Sequence, residues 1–273
     1  MTPLFDAAAA LRAQDRARLI GGDRFLFAAA AEGLADRLRA VTRRFTHGLW
    51  IGEDLPEALQ GFASRWSHVR FDALERLEAE PGTYDLALSL YSLQTINDLP
   101  GALAQVRRAL VPDGLFVGAM LGGSTLRELR DAFAQGESMT RGGVSPRVSP
   151  FADVRDLGAL LSRAGFALPV TDVERLTVRY GDFFALARDL RAHGFTNALA
   201  GRSRLPLRRD TLAAMLAAYA AQGERLPATF ETIFLTGWSP HESQQKPLRP
   251  GSAKSRLADA LDTTEISAGE KPG

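Results

Sequence analysis

The chain has no cysteine among its 273 residues. That excludes disulfide frameworks, cysteine zinc sites, iron–sulfur ligation and thiol nucleophiles. Lysine is nearly absent too: Lys246, Lys254 and Lys271 are the whole set, and arginine carries the rest of the positive charge. Neither sign of charge dominates, since 33 Lys and Arg face 32 Asp and Glu for a formal +1. This balance points away from nucleic acid and from anionic membranes as partners. No run approaches the roughly 18–20 apolar residues of a membrane helix, so no integral membrane segment is expected. The N-terminal stretch MTPLFDAAAALRAQDRARLIGG has Asp6 and Asp15 beside its apolar run and no basic region ahead of it. It makes a poor signal peptide, and the expected location is cytoplasmic. His47, His68, His193 and His241 show neither H-E-x-x-H nor facial-triad spacing, so no metal site is predicted.

What is present is an ordinary globular composition, 45% hydrophobic, 24% charged and 8% aromatic. Residues 4–20 and 24–41 read as helices, separated by Gly21-Gly22. The pattern then changes to strands alternating with helices. Short apolar runs at 45–51, 67–71, 84–91, 115–121, 173–180 and 230–238 read as strands. Between them, Asp54 and Pro56 open one helix, Asn97-Asp98 caps another over 100–110, and helices are predicted over 125–135 and 153–164. Ser124 is the expected N-cap of the third of these. Residues 136–150 read as a Gly/Ser/Pro loop too long for a plain connection, the kind that often forms a lid. Residues 182–222 are helical in two pieces, and 239–273 read as a polar, mobile tail. Strand–helix alternation of this kind defines an α/β fold with a parallel sheet. The expected division is N-terminal helices over 1–44, a main domain over 45–238 with a helical insert at 182–227, and the tail.

One stretch is more specific. In YDLALSLYSLQTINDLPGALAQVRRALVPDGLFVGAML, residues 84–121, an acid-tipped strand leads through the polar elbow Ser92-Leu93-Gln94 to a helix, a Pro-Asp-Gly turn and another strand. It resembles strand 4, helix D and strand 5 of the class I S-adenosylmethionine-dependent methyltransferases. SPRVSPFADVRDLGALLSRAGF and ATFETIFLTGWSPHESQQKPLRPGSA, further along, resemble one subfamily. This is the methyltransferase-like assembly factor of respiratory complex I, a protein-arginine hydroxylase in mitochondria. A weaker similarity, through SLxxxxNDLPGAL, links the chain to the malonyl-acyl-carrier-protein methyltransferase of the biotin pathway. The resemblance implies a Rossmann-like sheet, S-adenosylmethionine as cofactor and a complex I subunit as partner.

The sequence departs from that family in two places. The turn after the first strand, THGLWIGEDLPEAL, keeps Gly48 and Gly52 but has Glu53, Asp54 and Leu55 where the family has small residues. Glycines there let backbone N–H groups approach the cofactor closely. Asp72 follows Gly52 by 20 residues, the usual reach to a ribose-binding acid, but Asp85 follows Asp72 by only 13. That is too short for a full strand–helix–strand crossover, so one βα unit is expected to be missing. Asp72 is thus either the ribose acid or the family's adenine-side acid. The candidate cofactor residues are Gly48, Gly52, Asp72, Ser92 and Gln94, and the substrate-side candidates are Arg147 and His241. The arginines at 202, 204, 208 and 209 read as a solvated face. Two functions follow: a methyltransferase-like enzyme with a degenerate cofactor turn that modifies a protein subunit, or a non-catalytic assembly protein that keeps the fold without using the cofactor.

Overall fold

The computed structural model describes residues 3–220, 223–245 and 263. In chain order the elements are α1 (Ala7–Ile20), α2 (Phe25–Arg39), β1 (Phe45–Ile51), the single turn α3 (Glu57–Gln60), β2 (Ala63–Val69), β3 (Tyr84–Leu90), α4 (Leu99–Ala109) and β4 (Leu110–Leu121). They continue as α5 (Arg127–Arg141), α6 (Val154–Arg163), β5 (Ala167–Tyr180), α7 (Phe183–Ala192), α8 (Arg209–Ala220) and β6 (Leu226–Trp238). The six strands form one sheet in the order β2-β1-β3-β4-β6-β5. β2, β1, β3 and β4 are mutually parallel, and β6 runs antiparallel to both its neighbours. No strand or helix separates β2 from β3, so the expected βα unit is indeed absent and β2 is a sheet edge.

The apolar runs explain the layers. Central parallel strands are covered on both faces, so successive residues pack into opposite cores. Leu86, Leu88 and Leu90 of β3 join Trp50, Leu115, Val117 and Leu121 beneath α2, α5 and α8. Tyr84 and Ala87 join Leu49, Ile51, Phe116 and Met120 beneath α4 and α6. Each fully buried aliphatic or aromatic side chain contributes about 1.5–3 kcal/mol. Asp98 caps α4 by accepting from Gly101 N at 2.9 Å, and Asp153 caps α6 by accepting from Arg155 N at 2.9 Å.

Several boundaries differ from the periodicity. β2 begins at Ala63 because it pairs residue for residue with β1 from Phe45↔Ala63 to Ile51↔Val69. β5 and β6 each start earlier than their apolar runs, since the antiparallel ladder from Ala167↔Trp238 to Tyr180↔Leu226 carries polar residues with it. Ser124 does not cap α5: the chain turns first, with Thr125 N donating to Gly122 O and Leu126 left-handed at φ 54°. α5 then runs through Gly136 to Arg141, so the loop starts at Gly142. Gly136 reads as a helix stop, but here it is where α8 comes closest. A Cβ on it would lie 2.7 Å from Met215 N and 2.9 Å from Met215 Cα.

Residues 1–240 group into one unit and 241–273 into a second. In the second unit Ser243 N donates to His241 Nδ1 at 3.3 Å, closing a short turn. Beyond residue 245 the expected polar tail lies outside the described residues, residue 263 excepted.

Gly136→Ala is expected to destabilise the protein by about 1–3 kcal/mol, because the methyl group meets the α8 backbone and not a side chain that can swing away. Urea unfolding monitored by circular dichroism measures it. A change within about 0.5 kcal/mol, the usual size for a surface substitution, would contradict the close α5–α8 approach.

Candidate functional site

In a parallel sheet, ligands collect at the carboxyl ends of strands where the strand order reverses. Here the chain leaves β1 toward β2 and leaves β3 toward β4, so the reversal falls between β1 and β3. A cavity of about 1280 Å³, open to solvent, lies at that end of the sheet. Its walls include Gly52, Glu53 and Asp54 after β1, Arg70 and Asp72 after β2, Ser92 and Gln94 after β3, and Leu121 at the end of β4. α1 and the segment after α7 complete it through Gln14, Arg18, His193 and Phe195.

Four of the five cofactor candidates therefore line one cavity. Gly52 N donates to Val69 O at 2.9 Å, which ties the turn to β2. The Ser92 hydroxyl donates to Ile51 O at 2.9 Å and joins the ends of β1 and β3. Leu121 N donates to Gln94 Oε1 at 3.2 Å, which leaves the Gln94 amide N–H groups for the cavity. Asp72 Oδ1 accepts from the backbone N of Leu74 and of Arg76, both at 2.8 Å, and Oδ2 accepts from Arg76 Nε at 2.8 Å. The backbone and side-chain bonds from Arg76 hold this carboxyl below its ordinary value, so it is charged at neutral pH. The fifth candidate, Gly48, sits inside β1, where a Cβ would run into the Trp66 ring.

Glu53 takes the place of an open glycine turn with charge. Its carboxylate pairs with Arg18 of α1 at 3.2 Å and with Arg70, which also reaches Asp15 of α1 at 3.3 Å. The Glu53 carbonyl accepts from Trp50 Nε1 at 2.9 Å. These bonds fasten α1 over the cavity mouth. Its far end is held by the insert: Asp6 caps α1 through Ala9 N and pairs with Arg202 at 2.9 Å, and Asp6 N donates to Ala198 O at 2.8 Å. Arg202, read as part of a solvated face, thus has a partner in the helix cap.

Four aromatic rings form the inner wall. Phe27 meets Tyr91 edge-on at 5.3 Å, and Phe195 meets Tyr91 edge-on at 5.4 Å. Phe27 stacks on His193 and on Phe195, each at 5.9 Å. His193 Nε2 accepts from Leu26 N at 3.3 Å, and its Nδ1 lies 2.7 Å from Asp189 O. Burial lowers the His193 pKa, so the ring is neutral and serves as structure. No spacing in the sequence links residues 27, 91, 193 and 195, and only the fold assembles them.

A second cavity of about 760 Å³ shares Leu121, Ser149, Phe151, Phe195 and Thr196 with the first. It is lined by Leu129 and Phe133 of α5, by Phe183 and Leu190 of α7, and by Arg147. Arg147 donates through Nε and Nη2 to Glu137 Oε1 at 2.9 and 2.6 Å, and Ser145 adds its hydroxyl at 2.6 Å. Glu137 is fully buried. Burial pushes its carboxyl up, but the bonds from Ser145 and Arg147 outweigh this and hold it below its ordinary value. The pair folds the 142–150 loop down over the second cavity. His241 belongs to the second unit, and among the described residues no cluster of three or more His, Asp or Glu is arranged to hold a metal ion.

A reversed-order parallel sheet with a cavity at its switch point is the arrangement in which open α/β folds bind their ligands. The methyltransferase domain model matches residues 21–169, more than half of the chain, and the chain belongs to that family. Among curated proteins it is similar to "Arginine-hydroxylase NDUFAF5, mitochondrial" of Danio rerio, 43% identical over 189 residues covering 68% of this chain and 59% of that one. It is also similar to the malonyl-[acyl-carrier protein] O-methyltransferase of Laribacter hongkongensis, 41% identical over 180 residues covering 65% and 59%. The chain spans about half the length of the curated relatives it matches. Among solved structures, the YcgJ protein of Bacillus subtilis superposes with a TM-score of 0.50 at 12% identity over 77% of this chain and 99% of that one, a likeness of fold alone.

Glu137→Gln is expected to cost on the order of 3 kcal/mol at neutral pH, since it leaves Arg147 without its buried counter-charge. The folded-state pKa of Glu137 is depressed, so its contribution is complete above the ordinary carboxylate range of about 4.3 and disappears as pH falls through the folded value. Urea unfolding of both proteins from pH 7 down to about pH 3 tests this. The gap between them should close toward the acid end, and a gap that stays constant with pH would rule out the carboxylate as its source.

Proposed function

We propose that this protein binds S-adenosylmethionine in the switch-point cavity and modifies a side chain of a protein partner presented through the second, in the assembly of respiratory complex I. The observation that carries the reading is the cavity at the β1/β3 switch point, walled by the ends of all four parallel strands. Its donor set fits the cofactor. A charged acid stands just past β2, Gln94 lines the cavity after β3 while its Oε1 accepts from Leu121 N, and Gly52 lines it after β1, where a Cβ would press on the Trp50 ring at 3.1 Å. When bound, the cofactor supplies an electrophilic methyl group.

The chain's own residues act by placement, which supplies most of the rate in reactions of this type. Gly52, Asp72, Ser92 and Gln94 form the cofactor contact set. α1, fastened through Glu53, forms one side of the mouth. Phe195 and Phe151 stand in the wall common to both cavities, where cofactor and acceptor would meet. Arg147, fixed by Glu137, lines the acceptor side. The insert at 182–227 forms part of the acceptor chamber and is the partner-binding element. The complex I connection is supported by the resemblance of residues 145–166 and 228–253 and by relatives named arginine-hydroxylase. A cytoplasmic location is part of this proposal, and no helix among the described residues is long and apolar enough to cross a membrane.

Calorimetric titration with S-adenosylmethionine is expected to show binding at about 100 µM or tighter, the range of working enzyme affinities. A folded protein that gives no heat with millimolar ligand would favour the non-catalytic assembly role. Mass spectrometry of a captured complex I subunit then separates methylation from hydroxylation.

A further inference from the structure

Arg24 stands at the N-cap of α2 and makes no side-chain cap bond. Arg24 lines the switch-point cavity together with Gly52, Glu53 and Asp54. It lies over the Phe27 ring, with Cζ 3.9 Å from the centroid. Its Nε is buried and has no hydrogen-bond partner, and no ion pair forms around it among the described residues. The other two guanidiniums in the cavity wall are occupied, Arg18 by Glu53, and Arg70 by Glu53 and Asp15. His193 is neutral, with both ring nitrogens engaged.

Arg24 is half-buried, and a buried donor left unmet is costly unless a ligand completes it. Burial lowers the Arg24 pKa, and the attraction of Asp54 opposes that without forming a bond. The amino-acid end of the cofactor carries one ammonium and one carboxylate. A turn bearing Glu53 and Asp54 attracts the ammonium and repels the carboxylate. Here acidic side chains flank the backbone N–H groups that a glycine-rich turn would leave open, so the carboxylate needs a cation. Among the described cavity-lining residues, Arg24 is the one with donors to give.

We propose that Arg24 binds the carboxylate of S-adenosylmethionine, in place of the glycine-rich turn this chain has lost. The proposal rests on the reading that the cavity takes this cofactor. The test is calorimetric titration of the full chain, of Arg24→Gln and of Arg24→Lys with three ligands. Two are S-adenosylmethionine and S-adenosylhomocysteine; the third is 5′-methylthioadenosine, which lacks the amino-acid end. Arg24→Gln should weaken the first two by about 10–100-fold, the weight of a charge-assisted hydrogen bond. Its affinity for 5′-methylthioadenosine should stay within about twofold, which also shows that the variant is folded. Arg24→Lys, which keeps the charge without the planar fork, should fall between. Equal weakening of all three ligands would mean that Arg24 only shapes the cavity, and unchanged S-adenosylmethionine binding would mean that it meets no carboxylate; either overturns the proposal. An unsubstituted chain that binds none of the three overturns the cofactor reading and this proposal with it.

Discussion

The pairing of β1 with β2 on one side and β3 on the other is the constraint on which the site depends. All three strands point the same way, so their carboxyl ends share one rim of the sheet. The connections leaving β1 and β3 diverge, and neither can cover the gap between them. Backbone and side-chain bonds then set its width. Gly52 N to Val69 O and Ser92 Oγ to Ile51 O hold the three strand ends in register, and Tyr91 N to Ala119 O ties β3 to β4. Every residue that faces the cavity from the sheet does so because of this ladder.

The shortened half of the fold explains the charged turn. With α3 reduced to one turn and β2 joined to β3 through irregular chain, little helical surface remains on that side to cover the switch point. α1 supplies it. This helix buries Ala10, Ala13 and Ala17 on one face, and Gly194 at φ +74° lets the chain after α7 approach within reach of Gln14 and Ala17. A Cβ there would crowd the Gln14 Cα. Glu53 joins Arg18 and Arg70 across the resulting seam, so a position that asks for a small residue in an open turn holds a carboxylate here.

α7 and α8 shape the other side. α8 lies against α5 through Gly136, and α7 and the segment after it bring Phe183, Leu190 and Phe195 to the second chamber. Buried Glu137 fixes Arg147, and with it the loop roof, by bonds that need both partners. The two chambers meet at aromatic walls, which exclude water without presenting a reactive group of their own.

The sequence by itself determined the sheet class, the missing βα unit and the run from β3 to β4. These follow from local signals: unbroken apolar runs, caps such as Asp98, and a spacing too short for a crossover. That Gly52, Asp72, Ser92 and Gln94 line the switch-point cavity follows from similar signals, since each lies within a few residues of a strand's carboxyl end. The tertiary structure decided what depends on distant parts of the chain. Gly136 reads as a helix stop until α8 is packed on it, and β2 is located only by its pairing with β1. Arg24 reads as the plain start of a helix, and its unmet donor appears only when Phe27, Glu53 and Asp54 close around it. Pattern records which face of an element is apolar, but burial and partnership arise between elements, and no periodicity along one of them encodes its neighbour.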